Sequence, residues 1–173
     1  MGSGAAGPAS YYRDEIDHAT WTRLFAATAA RYEWTVVIVV QLTTHWHAIV
    51  NVHDHSLPEG MQYLNGRYSR EFNERHERVG YLVRNRYWSR RKTTDAELLG
   101  AFCYVANNPL SAGLVSRAED WPWSSYATAI GLSEAFLFVD ASSVVGQFGK
   151  TSKLARAALR HHVTSMATRE TGA

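Results

Sequence analysis

The stretch "WTVVIVVQLTTHWHAIVNV", residues 34–52, decides the fold. Its first part, 34–42, is rich in β-branched residues, which predicts a buried strand. Its second part, 45–52, also favours a strand, and the two-residue link Thr43-Thr44 predicts that a hairpin or a bulge joins the two. We therefore expect a pair of antiparallel strands around which the rest of the chain is arranged.

The second of these strands carries two histidines. Because side chains alternate along a strand, His45 and His47 lie on one face with Ile49, and Trp46 lies on the other. Two imidazoles at this spacing can bind one divalent cation. A strand that merely contains histidines is the more common case, however, and two ligands alone do not make a metal site. A further group must come from another part of the chain.

Helical patterns surround the strand pair. Long helices are predicted over 14–32, over 56–78, and from Thr94 or Asp95 to Pro109, which should end the third. Shorter helices are predicted within 118–131, 140–149 and 151–162. The order favours an α+β fold, with an antiparallel sheet, helices packed on it and a small C-terminal helical tail.

The third helix places two polar side chains away from its apolar stripe. At 100° per residue, the stripe consists of Leu98, Leu99, Phe102, Val105 and Ala106. Tyr104 and Asn108 lie roughly opposite, one turn apart, and so share a face. A tyrosine that packs on a neighbour and an asparagine that helps to end the helix would also explain this pattern.

Composition narrows the class of protein. The 173 residues suffice for one domain, and a hydrophobic fraction of 46% favours a globular chain. The only cysteine, Cys103, excludes an internal disulfide framework and a cysteine-based zinc site. No apolar run is long enough to span a membrane, and residues 1–10 lack the features of a signal peptide, so we expect a cytoplasmic protein with a flexible lead at 1–10.

Positive charge is concentrated in one segment. Between Arg67 and Lys92 there are eight Arg and one Lys against three Glu, whereas the whole chain has a net charge of only +2. Arginine suits bidentate contacts with phosphate, and Tyr87 and Trp88 lie within the segment. The pattern is typical of a nucleic-acid-binding surface, or of a solvated helix face followed by a charged loop.

Four segments, in order, resemble the single-tyrosine HUH transposases, in particular the IS200-like group with the REP-associated tyrosine transposases. They are "HWH" at 45–47, "MQYLNGRYSREFNERHERVGYLVRNRYWS" at 61–89, "YVANNPLSAGLV" at 104–115 and "EDWPWSSYATAIG" at 119–131. The resemblance implies a ferredoxin-like, HUH-type fold over 11–131, with 132–173 as a C-terminal extension. The chain differs from the family in having Thr43-Thr44 before the first histidine.

The resemblance also implies a set of site residues. By position, the metal ligands would be His45, His47 and Asn108, and the nucleophile would be Tyr104. The metal would be Mg²⁺ or Mn²⁺, although these ligands would also accept Zn²⁺. Tyr104 would attack a phosphodiester and leave a 5′-phosphotyrosine and a free 3′-hydroxyl, which a reverse reaction rejoins.

The partner implied is single-stranded or hairpin DNA, which would place the protein at the nucleoid. The phosphates would be contacted by Arg67, Arg70, Arg84, Arg86, Arg90 and Arg91. Tyr87 or Trp88 would either stack on bases or pack against the sheet. Family members begin with a strand before the first helix, but here the first helix follows a lead rich in Gly, Ala and Ser, so we expect that strand to be absent. A homodimer is one way in which the sheet could then be completed.

Two other functions fit the sequence. One is a DNA-binding protein of the same descent that no longer cuts DNA. The other is a small zinc protein, unrelated to DNA, in which His45 and His47 bind the metal.

Overall fold

The computed structural model describes residues 2–3, 11–53, 56–83, 87–150 and 152–171, and side chains within 11–167 of these ranges. The strands are β1 (Gly2–Ser3), β2 (Thr35–Gln41), β3 (Trp46–Asn51) and β4 (Trp88–Ser89). The helices are α1 (Glu15–Arg31), α2 (Ser56–Arg75), α3 (Asp95–Ser111), α4 (Tyr126–Ala129), α5 (Ser142–Val145) and α6 (Ser152–Thr171). Short 3₁₀ turns occur at Ala118–Asp120 and Gly146–Phe148.

The sheet is antiparallel, in the order β2-β3-β1-β4. Thr43 and Thr44 form the two-residue turn of the β2–β3 hairpin, since the Leu42 N–H donates to the His45 carbonyl at 2.7 Å. A register shift between Val36 and Ile38 lies far from this turn. The α+β class that the sequence predicts is confirmed.

The first strand is short rather than missing. Gly2 pairs with Ala48 and Ser3 with His47, so β1 lies directly beside the histidine strand. Small residues at the start of the chain carry no β-branched signal, and the pairing depends on backbone hydrogen bonds to β3. A homodimer is therefore not needed to supply a neighbour for β3.

Helices cover the two faces of the sheet. On one face, α1 and α2 enclose a core that includes Trp21, Phe25, Trp46 and Tyr68. On the other face, α3 and the C-terminal helices pack against Ile38. Because Trp46 points into the first core, its neighbour His47 faces α3.

The segment after α3 protects the outer edge of β2. The Gln41 N–H donates to the Trp123 carbonyl, and the Ser125 N–H donates to the Val39 carbonyl, both at 2.9 Å. The Trp121 indole N–H donates to the Gln41 carbonyl at 2.6 Å. These bonds occupy backbone groups that an exposed edge would leave open, and they fix the hairpin that carries the histidines.

Two long helices end at residues other than those predicted. Helix α3 continues past Pro109 to Ser111, because a proline in the last turn removes only one backbone hydrogen bond of the helix. The chain then turns at Gly113, whose φ is 69°. Helix α2 ends at Arg75 instead of Arg78, and Glu77 and Gly80 in the turn after it both have a positive φ, of 50° and 101°.

The last helix is long and belongs to the main core. Helix α6 has 20 residues, where the sequence predicts a short helix. Leu159 and Val163 are buried in the same cluster as Phe102 of α3 and Ile38 of β2. Within the described part of the chain, no helix is long and apolar enough to cross a membrane.

Candidate active site

The structure brings His45, His47 and Tyr104 together on one face of the sheet. The rings of His45 and His47 are 5.0 Å apart between centroids, and the rings of His47 and Tyr104 are 5.8 Å apart in an edge-to-face arrangement. Half of the Tyr104 side chain is exposed, at 50%. A phenol that touches a histidine and is also open to solvent can reach a substrate bound at the surface.

His47 has the environment expected of a neutral imidazole with an unused nitrogen. Its side chain is buried, and Nε2 has no hydrogen-bond partner among the described residues. Burial, with a smaller contribution from His45, lowers the pKa of His47 to about 4. The ring is therefore unprotonated at neutral pH, and a buried nitrogen without a partner is unfavourable unless something binds it.

His45 is held by the residue before it. The Thr44 hydroxyl and Nδ1 of His45 are 3.1 Å apart. Partial burial lowers the pKa of His45, so this ring is also neutral at pH 7. With Nδ1 engaged, Nε2 is the nitrogen left for a ligand. The sequence shows Thr44 only as a departure from the family, and its contact with His45 could not be read from the pattern.

Asn108 is oriented by a bond within its own helix. Its amide N–H donates to the Tyr104 carbonyl at 2.7 Å. A carbonyl only accepts, so the amide nitrogen must face it, which leaves Oδ1 as the atom that can meet a cation. No hydrogen bond joins Asn108 to either histidine among the described residues. Its neighbour Asn107 is buried and bonds to the Val163 carbonyl of α6, so the two asparagines differ in role.

These residues fit a divalent metal. His45 and His47 offer neutral imidazoles about two residues apart on one face, and the buried Nε2 of His47 has no partner in the part of the chain that the structure describes. In the described part of the chain, no group of three or more His, Cys, Asp and Glu side chains could hold a metal. A third protein ligand would therefore be of another type, such as the amide oxygen of Asn108.

The predicted DNA-binding arginines fall into separate regions. Arg90 and Arg91 are exposed between β4 and α3, near the edge of the sheet. Arg67 and Arg70 are exposed on α2, whose buried side packs on the sheet face opposite His47. Arg67 lies 4.0 Å from Glu71. Arg84 and Arg86 lie outside the described residues.

The structure distinguishes the two aromatic residues of the basic segment. Tyr87 is half-buried and packs against the core that contains Trp46. Trp88 is 58% exposed on β4, beside Arg90 and Arg91. Tyr81 is 85% exposed. Of Tyr87 and Trp88, only Trp88 offers an open ring to a nucleic-acid base.

Comparison with known proteins agrees with this architecture. The structure is similar to a solved structure described as "Structure of the REP associates tyrosine transposase bound to a REP hairpin", with a TM-score of 0.60, 15% identity and coverage of 76% of this chain and 80% of the other. In sequence, the chain is 24% identical over 128 residues to a Haemophilus influenzae protein named "Putative REP-associated tyrosine transposase", covering 68% of this chain and 72% of that protein.

The amino-acid sequence also matches a known protein family. The family "Transposase IS200 like" matches residues 10–96. The matched residues include His45 and His47 and end before Tyr104 and Asn108. Because the match spans just over half of the chain, the protein belongs to the IS200-like transposase family.

Proposed function

We propose that the protein is a DNA strand transferase in which Tyr104 is the nucleophile and His45, His47 and Asn108 hold a divalent metal. The observation that supports this most directly is the contact between the half-exposed Tyr104 ring and the buried, neutral His47 ring, 5.8 Å apart between centroids. A nucleophile that contacts one member of a histidine pair able to bind a metal is suited to metal-assisted phosphoryl transfer.

The chemistry begins at the Tyr104 hydroxyl. Its oxygen forms a bond to a DNA phosphorus, and the bond from that phosphorus to the 3′-oxygen of the preceding nucleotide breaks. The phenol proton is lost to solvent, and the departing 3′-oxygen gains a proton. The products are a 5′-phosphotyrosine and a free 3′-hydroxyl, and attack by another 3′-hydroxyl reverses the reaction and joins strands without ATP.

The surrounding residues position these groups. A divalent metal, Mg²⁺ or Mn²⁺, bound to His45, His47 and Asn108 would neutralise charge on the scissile phosphate. The Asn108 amide donates to the Tyr104 carbonyl, so the nucleophile and this ligand are fixed on the same turn of α3. Hydrogen bonds from the segment after α3 to β2 fix the β2–β3 hairpin that carries the histidines.

We propose that the substrate is single-stranded or hairpin DNA. The related solved structure is bound to a REP hairpin, and this chain carries exposed arginines just after β4, which pairs with β1 next to the histidine strand. Arg90 and Arg91 would contact phosphates near Tyr104, and the exposed Trp88 would stack on a base. Arg67 and Arg70 would meet DNA that continues over the α2 side of the molecule, with Arg84 and Arg86 from the same segment.

Covalent capture tests the proposal. The protein is incubated with labelled hairpin and single-stranded oligonucleotides and Mg²⁺ or Mn²⁺, and adducts that survive denaturation are separated by electrophoresis. We expect an adduct with the wild-type protein that EDTA prevents and that Tyr104→Phe abolishes, since phenylalanine lacks the attacking oxygen. Tyr81→Phe, which removes the hydroxyl of a tyrosine that is 85% exposed, should form the adduct normally.

Other results would favour the other functions. An adduct that persists in Tyr104→Phe would show that the nucleophile is a different residue. DNA binding without an adduct on any oligonucleotide would support a protein of the same descent that no longer cuts. Tight Zn²⁺ binding without DNA binding at low salt would support the zinc protein.

A further inference from the structure

A second basic feature lies where the end of α3 meets the C-terminal part of the chain. It is a cleft of about 740 Å³ between the end of α3, the turn Ala118–Asp120, the end of α4 and helix α6, and we call it the α6 cleft. Its walls carry four cationic side chains and a single carboxylate, that of Glu119. The cations are those of Arg117, Lys153, Arg156 and Arg160. The excess of positive charge favours an anionic ligand.

Glu119 organises two of these cations, and Oδ2 of Asp120 also lies 3.9 Å from Nε of Arg117. Arg117 and Arg160 each donate through Nε and Nη2 to the same oxygen, Oε1 of Glu119, at 2.5–3.1 Å. Burial would raise the pKa of Glu119, but the hydrogen bonds from the two arginines outweigh it and lower the pKa. One carboxylate thus fixes two guanidinium groups, and each keeps further N–H donors for another acceptor.

The other two cations stand on the exposed side of α6. Lys153, Arg156 and Arg160 are spaced by three and four residues, so they line one face of the helix over about 10 Å. In the part of the chain that the structure describes, no carboxylate forms an ion pair with Lys153 or Arg156. Arg156 packs over Gly131, where an added Cβ would come within 2.7 Å of its guanidinium. The missing side chain at Gly131 makes room for this arginine.

The α6 cleft and the candidate active site share a helix. Asn107 and Leu110 of α3 line the cleft, and they lie three and six residues after Tyr104. At about 1.5 Å and 100° per residue, Asn107 is roughly 4.5 Å along the helix axis from Tyr104 and about 60° around it. Leu110 is roughly 9 Å along the axis from Tyr104 and about 120° around it. The floor of the cleft also contains apolar side chains, among them Leu110 and Ile130. An extended nucleic-acid strand, with spaced phosphates and flat bases whose faces can pack on apolar side chains, matches this surface better than a small ion does.

We infer that the α6 cleft binds the phosphates of the DNA strand that extends from the candidate active site. This inference rests on the proposed function, and it adds Arg117, Lys153, Arg156 and Arg160 to the DNA-binding residues. Helix α6 then has two roles, because its buried side completes the core and its exposed side contacts the substrate.

Salt-dependent binding of the double variant Lys153→Ala/Arg156→Ala tests the inference. Both side chains are exposed, so the fold should be retained, which circular dichroism can check. Fluorescence anisotropy measures the affinity for a labelled single-stranded oligonucleotide at increasing salt. Loss of two phosphate contacts should reduce the slope of log K against log[salt] by roughly 1.4, since each contact to a single strand contributes about 0.7.

A charge-conserving control keeps both cations in the cleft. Lys153→Arg/Arg156→Lys retains the two positive charges on α6 and should leave the slope unchanged. An unchanged slope in Lys153→Ala/Arg156→Ala would overturn the inference, and so would an equal reduction in both double variants, which would indicate that altered packing of α6, and not the lost charge, changes binding.

The covalent adduct separates this inference from the proposed function. If wild-type protein forms the Tyr104 adduct while Lys153→Ala/Arg156→Ala binds with the wild-type slope, the cleft inference fails and the proposed function stands. If no adduct forms but the slope falls in the double variant alone, the cleft binds DNA and the proposed chemistry fails.

Discussion

Single atoms decide which nitrogens of the histidine pair are available. The Thr44 hydroxyl engages Nδ1 of His45, and the buried Nε2 of His47 has no partner within the described ranges. A side chain that bonds the second nitrogen of a metal-binding histidine fixes the orientation of the ring and thereby strengthens metal binding. We therefore regard Thr44 as a positioning residue for the candidate metal site.

Replacing Thr44 should weaken metal binding. Thr44→Ala removes the hydroxyl, so we expect the affinity for Mn²⁺ to fall by about 10-fold or more, the usual effect of losing such a partner. Titration calorimetry or the electron paramagnetic resonance of free Mn²⁺ measures the affinity. Thr44→Ser keeps the hydroxyl and should bind almost as wild type. Equal affinities for Thr44→Ala and wild type would show that the turn residue does not support His45.

Among the helices and strands, α6 is the element whose length and contribution to the core the sequence underestimates. Its predicted length is short, whereas the observed helix runs over Ser152–Thr171 and fills the core beside α3. The difference arises because small and basic residues alternate with its apolar ones, so its buried stripe is narrow. The stripe becomes recognisable only when the face of α3 that it covers is known.

Two leucines of α6 test its contribution to the hydrophobic core. Leu159 is fully buried and Leu154 is 71% exposed. Leu159→Ala should lower the free energy of unfolding by about 2–5 kcal/mol, because it leaves a cavity in the core. Leu154→Ala should change it by no more than about 0.5 kcal/mol. Urea denaturation measures both, and a small effect of Leu159→Ala would mean that the C-terminal helices are a peripheral extension of the domain.

At the scale of the whole molecule, local patterns predict the helices and the main strands, whereas features that join distant segments become visible only in the tertiary structure. Alternation along 45–52 and the helical spacing of Tyr104 and Asn108 are local patterns that distinguish these residues, and the resemblance to the transposase family is what combines them into one candidate site. The Gly2–Ser3 strand and the α6 cleft depend on contacts between distant segments. No local sequence pattern predicts the strand at Gly2–Ser3. Nor does one predict that Arg117 and Arg160 bind the same carboxylate, that of Glu119.

Acid should destabilise the molecule through its buried histidines. His18 lies between the rings of Tyr12 and Trp123, at 4.0 and 4.7 Å between centroids, and burial lowers its pKa below the ordinary value, although a hydrogen bond to Gln41 opposes the shift. Below about pH 6.5 the unfolded chain therefore binds more protons than the folded one, and the free energy of unfolding falls as the pH falls. One histidine contributes at most about 1.4 kcal/mol per pH unit.

Urea denaturation between pH 7 and pH 5, in the presence of EDTA, tests this dependence. The wild-type protein should lose stability as the pH falls, and His18→Gln should lose less over the same interval, because glutamine does not titrate. The comparison uses the slopes with pH, since the substitution itself can change stability at pH 7. Equal slopes would mean that His18 does not contribute to the loss, in spite of its burial, and would leave the other buried histidines, His45 and His47, as its source.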